Sequence, residues 1–228
     1  MTFLLLRATE AQRHRAKKFL LCASVSLWLV SAIAGFALVA AAGTPWLPTQ
    51  GRVRVTCPLT IGGSFEAKTT ALRGSLTASA SHPSYDGSLV VDLRTIDTGI
   101  RLRNDHLREK YLEVDKAPGY DTATLSEIDL KGLSPDAPKG KGTFSGSFML
   151  HGTRKTVGGP VEIREAGAGF LVKASFPVNL SDYNIPVPRY LGLGVKNTVQ
   201  VEVTFLAAPE QASQLRSLRF VGQATATR

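Results

Sequence analysis

Residues 198–205 read Thr-Val-Gln-Val-Glu-Val-Thr-Phe, with Val199, Val201, Val203 and Phe205 in one set and Thr198, Gln200, Glu202 and Thr204 in the other. Successive side chains leave a strand on opposite sides, so this period of two marks a strand with one buried and one wet face. The pattern recurs upstream. Leu72, Gly74, Leu76 and Ala78 alternate with Arg73, Ser75, Thr77 and Ser79, and Leu89, Val91 and Leu93 flank Asp92 and Arg94. Phe144, Gly146, Phe148 and Leu150 alternate with Thr143, Ser145 and Ser147, and Phe170, Val172, Ala174 and Phe176 enclose Lys173 and Ser175. Weaker strands are expected at 52–56, 123–130 and 156–164, giving about eight, with turn-like breaks at HPSYDG, KGLSPDAPKGK, TVGGP and EAGAG. One wet face per strand indicates antiparallel sheets, so the fold is all-β, a sandwich or a closed barrel.

Two segments break the pattern. Arg103–Leu112, RNDHLREKYL, is predicted to be a short helix capped by Asn104, with Leu107 and Tyr111 on one face against an end of the sheet. Residues 177–197 contain two Gly and three Pro and read as a rim loop, and 207–228 read as a loosely held tail.

The 228 residues suit one domain with an appendage, and 43% apolar residues supply a core. Cys22 and Cys57 are too few for a disulfide framework or a thiolate metal site. The net charge of +9 is misleading as a nucleic-acid signal. Residues 1–18 carry five basic side chains against Glu10, and elsewhere Lys and Arg are mixed with Asp and Glu, without interleaved aromatics.

Residues 19–42, FLLCASVSLWLVSAIAGFALVAAA, hold no charge and as a helix would span about 36 Å, enough to cross a bilayer. The basic cluster before this stretch places 1–18 in the cytoplasm and the rest outside, so the segment reads as an uncleaved anchor in the cytoplasmic membrane. Cleavage near Ala42, releasing the barrel into the periplasm, is the alternative. Residues 43–50, with Pro45, Pro48 and an interfacial-looking Trp46, read as a stiff linker before a 51–206 domain.

No HExxH, GxSxG, P-loop or GxGxxG occurs, and His14, His82, His106 and His151 show no metal-ligand spacing. Neither catalytic residues nor a metal site are expected. The inward apolar set offers a different chemistry. An eight-stranded barrel is just wide enough to be filled by side chains or to hold one apolar ligand, and the pattern alone leaves both open.

The runs LVVDLRTIDTGIRLRNDHLREKYLEV, ATLSEIDL, GTFSGSFMLHGTRKTV and LSDYNIPVPRYLGLGVKNTVQVEVTF resemble the YceI-like family of polyisoprenoid-binding bacterial envelope proteins. Most specific is Ile96-Asp97-Thr98-Gly99 followed by Arg103, His106 and Leu107. The resemblance implies a lipocalin-like antiparallel barrel, closed at one side by a helix, around an isoprenoid chain such as a polyprenyl lipid or quinone. The expected tunnel lining is Leu72, Leu76, Leu89, Val91 and Leu93; Phe144, Phe148 and Leu150; Phe170, Val172 and Phe176; and Val199, Val201, Val203 and Phe205. His106, Arg108, Arg189 and Tyr190 are the candidates for orienting a headgroup at the mouth. No cofactor is expected beyond such a lipid, and the partners expected are that ligand and the membrane. A structural envelope module with a filled interior is the rival reading.

Overall fold

The computed structural model describes residues 43, 45–79, 84–133, 138–190 and 193–210, with the side chains of Tyr190 and Leu193 excepted. Residues 1–42, on which the expected cytoplasmic segment and membrane span fall, and the chain from 211 onward therefore lie outside the described residues.

Eleven strands occur among them: β1 (Trp46–Pro58), β2 (Ser64–Thr69), β3 (Leu72–Ala78), β4 (Ser84–Asp92), β5 (Thr122–Lys131), β6 (Gly140–Leu150), β7 (Thr153–Ala166), β8 (Gly169–Asn179), β9 (Arg189–Tyr190), β10 (Leu193–Gly194) and β11 (Thr198–Pro209). Each neighbour in the series β3-β4-β5-β6-β7-β8-β11 is antiparallel, and β11 pairs with β1 from Trp46–Pro209 to Thr56–Gln200. β1 in turn holds both β2 and β3, and the ladder closes. Val53 faces Thr69 and Trp46 faces Leu76 in one unbroken register, so β2 and β3 form a single stave interrupted at 70–71. The result is an all-β closed barrel of eight staves.

The strand starting at Trp46 corrects the linker reading of 43–50. Pro48 is tolerated because the strand bulges just after it, between Thr49 and Arg52, where Gln50 takes a φ of 52°. At Gly51 a Cβ would lie 2.7 Å from Leu72 Cβ, so the bulge brings the backbone against the next stave. Two expected breaks are also strand. TVGGP runs inside β7, and Tyr85-Asp86-Gly87 belongs to β4, whose pairing with β5 shifts between Tyr85 and Ser88.

The helix differs in placement. α1 covers Arg101–His106 and continues as a π-helical turn, Leu107–Tyr111. Asn104 is inside it and caps nothing. Its Oδ1 accepts from the Thr98 amide at 2.8 Å and the Thr98 hydroxyl at 2.7 Å, while its Nδ2 donates to Asp97 Oδ1 at 2.7 Å. These bonds fold the chain back at Thr98–Gly99, so the helix starts earlier than the capping pattern implies. Leu93 likewise belongs to a 3₁₀ turn, Leu93–Thr95, rather than to a strand.

The 177–197 segment is more ordered than a rim loop. Pro177–Asn179 complete β8, Leu180–Tyr183 form a 3₁₀ turn, and Val178, Tyr183, Ile185 and Val195 are buried. α1, its π turn and this segment occupy one end of the barrel, hereafter the helix end. β3 ends and β4 begins at the far end, where residues 166–169 also turn.

Gly74 sits where β3 approaches β4 most closely, with a φ of 131° and its missing Cβ aimed at the Ser88 carbonyl. Gly74→Ala is expected to lower stability by more than about 1 kcal/mol in urea titrations, against a change within about 0.5 kcal/mol for Arg73→Ala beside it.

Candidate ligand cavity

Period-two strands wound into a closed barrel send one side-chain set inward, and here that set does not fill the space. A cavity of about 550 Å³ runs inside the barrel. Leu72, Leu76, Leu89, Val91 and Leu93 border it, as do Phe144, Phe148, Leu150, Phe170, Val172, Phe176, Val199, Val201, Val203 and Phe205. The alternation therefore locates this wall residue by residue. It misses Trp46 and Phe65, which border the cavity from β1's first half and from β2.

The aromatic side chains are layered along the axis. Trp46 and Phe170 rings meet at 5.3 Å at the far end, and Phe176 stands edge-on to both Phe144 and Phe148, at 5.7 and 5.4 Å. At the helix end the half-buried Phe65, Leu107, Tyr111, Leu180 and Pro188 bring the cavity close to solvent. Leu107 and Tyr111 stand four apart and both take cavity positions.

Polar groups are almost absent from the wall. Cys57 borders it, and burial pushes its thiol up to about 11 against the lowering effect of Arg103. Burial also raises the Tyr85 phenol. Both groups are neutral at physiological pH. Among the described residues no cluster of His, Cys, Asp or Glu could hold a metal ion.

The mouth candidates fare differently. His106 and Arg108 flank Leu107, so when Leu107 points to the cavity they are turned aside, and neither borders it. Arg108 Nη2 donates to the Ile96 carbonyl at 2.8 Å, bracing the loop below α1, while its Nε is buried without a partner. Arg189 is exposed on β9, pairs in register with Gly194 and does not border the cavity. The side chain of Tyr190 lies outside the described residues.

A polar staple seals part of the helix end. His151 is 5% exposed at the β6–β7 turn; its Nδ1–H donates to the Tyr183 carbonyl at 2.9 Å, and its Nε2 lies 3.0 Å from Glu113 Oε2. A hydrogen bond from Lys116, joined by the one to His151, holds the Glu113 carboxyl below its usual range. The Tyr120 ring packs edge-on to the imidazole at 4.5 Å. Tyr183 packs on Phe148 at 5.7 Å, and its hydroxyl is buried without a partner, its ionisation pushed up to about 12 by burial.

Fold and site together define a class: a closed antiparallel barrel around an apolar cavity, capped by a short helix. The chain belongs to the YceI-like domain family, whose model matches residues 48–207. Two solved structures share the fold. BcnA of Burkholderia cenocepacia is 18% identical with a TM-score of 0.57, covering 69% of this chain and 96% of its own. A polyisoprenoid-binding domain from Saccharophagus degradans is 17% identical with a TM-score of 0.55, covering 73% and 98%. Among curated protein sequences none matches this chain.

The staple and the orphan hydroxyl make opposite predictions. His151→Ala strips partners from the Tyr183 carbonyl and Glu113 and is expected to cost about 2 kcal/mol or more. Tyr183→Phe removes a buried donor that bonds to nothing and is expected to leave the thermal midpoint unchanged or raised.

Proposed function

We propose that the barrel binds and shields a long apolar ligand, a polyisoprenoid, an isoprenoid quinone or a similar lipid, without transforming it. The cavity of about 550 Å³ inside the barrel, with an almost wholly apolar wall, carries this reading, and it falls within the roughly 300–1,000 Å³ of small-molecule sites. Each buried CH₂ contributes about 0.8 kcal/mol, so some ten well-buried carbons supply about 8 kcal/mol, the scale of micromolar binding before ordering costs. The solved structure from Saccharophagus degradans, described as a polyisoprenoid-binding domain, supports the same ligand class. An unfilled interior weighs against the rival reading of a solid structural module. Burial is the only chemistry this function asks of the site, and none of it is catalytic.

The ligand is expected in organic extracts of the purified full-length protein by mass spectrometry. Val203 borders the cavity and Thr204 does not. Val203→Phe should therefore keep most of the ligand-free thermal stability while losing the lipid, and Thr204→Phe should bind like the parent. A solid interior would give the opposite result: no lipid in the parent, and a loss of about 1–3 kcal/mol from overpacking in Val203→Phe.

We place the barrel on the outer side of the bacterial cytoplasmic membrane, tethered by residues 19–42, whose 24 uncharged residues follow a basic cluster. Full-length protein is expected to stay with the membrane fraction through carbonate and high-salt washes. A mature chain beginning near Gly43 and free in the periplasm would replace the tether by export and cleavage.

A further inference from the structure

The apolar-ligand reading leaves the other half of the ligand unassigned, and the present inference rests on that reading. A wall with almost no polar group cannot hold the head of an amphiphile, so a head must sit at a rim. At the helix end one side chain is placed for it. The guanidinium of Arg103, on α1, lies over the Phe65 ring, 4.3 Å from its centroid, and Phe65 borders the cavity. Stacking occupies the face of the guanidinium and leaves its in-plane N–H donors free.

Those donors have no acceptor among the described residues. Arg94 holds Asp115 and Asp121, Arg164 holds Glu162, Arg54 pairs with Glu66, and Arg108 holds a carbonyl. Arg103 forms no such bond. Carboxylates of the flanking segments are engaged elsewhere: Glu66, beside Phe65, by Lys68, Asp97 by Asn104 and the Gly99 amide, and Glu113 by Lys116. Asp105 stands two residues on along α1, about 200° round the helix from Arg103. The positive charge of Arg103 also reaches the cavity wall, where it acts on the Cys57 thiol. Its neighbour on α1, Leu102, is an exposed apolar side chain.

We propose that Arg103, held on Phe65, is the headgroup contact of this site, and that the ligand is an amphiphile with a phosphate-type anionic head whose chain occupies the barrel from the helix end. A guanidinium fork matches a phosphate oxygen pair, and a neutral head would leave its charge unanswered.

Full-length protein titrated with farnesyl monophosphate and with farnesol tests this directly, since the two probes share a chain and differ in the head. The parent is expected to prefer the phosphate by about tenfold or more, and raising the salt from 0.05 to 0.5 M should narrow that preference. Arg103→Gln should bind farnesol as the parent does and lose the preference, whereas Arg103→Lys, which keeps the charge without the fork, should retain part of it. Equal affinity of the parent for both probes, or an equal loss for both in Arg103→Gln, overturns the headgroup assignment while leaving the lipid-binding function standing. Binding of neither probe overturns both.

Discussion

Everything in this barrel follows from the hydrogen bonds between β11 and β1. An antiparallel sheet with an exposed edge can slip register or pair with another chain, and closure removes the edge altogether. Once Val53 is locked opposite Val203 and Val55 opposite Val201, every stave's inward set is fixed, because a one-residue slip would turn that set outward. Closure also fixes the width. Eight staves enclose an interior that side chains of ordinary size can only just fill, so whether a cavity remains depends on how many inward positions carry bulk. Here the inward positions include many Val and Leu and a few Phe, and space is left over.

The two ends of the barrel then take up what the walls cannot. Polar side chains have no place inside, and at the helix end they gather into the Asn104–Asp97–Thr98 knot and the His151–Glu113–Lys116 staple. Each binds loops that would otherwise be held by little. Both act on backbone as much as on side chains: the Tyr183 carbonyl and the Thr98 and Gly99 amides are engaged within them. The wall is thus left to apolar side chains and the polar contacts to the ends.

Much of this was legible in the sequence, for a specific reason. Strands with one wet face print their inward residues at every second position, so the clearest runs gave the cavity wall directly, Val199 to Phe205 above all. The parts that were not legible depend on contacts distant in sequence or on local geometry that composition disguises. Trp46–Gln50 reads as part of a linker because Pro45 and Pro48 are breakers, and only pairing with Ala207 and Leu206 shows it as strand. Residues 177–197, rich in Gly and Pro, hid Tyr183 and Ile185, whose burial depends on β6 and β7 arriving beside them. Asn104 resembled a cap because capping is what Asn does near a helix start, yet a turn six residues upstream offered it better partners. At the mouth, His106 and Arg108 are polar residues of the predicted helix, yet neither borders the cavity. The residue stacked on a cavity-lining ring is Arg103, one turn earlier, and its partner Phe65 lies on a strand the alternation did not reveal.

An interior left unfilled has a cost that bears on function. The apolar side chains that border about 550 Å³ of space forgo the contacts a filled core would give them. A barrel built only for stability would have closed that space with larger side chains at Val172, Val199 or Val203, as overpacking is avoided and voids are filled in ordinary cores. Retaining the void therefore makes the ladder and the polar ends carry the fold, and leaves room for an apolar ligand to complete the core. The same burial that binds the ligand completes the packing, so affinity and folding stability are two readings of one interaction.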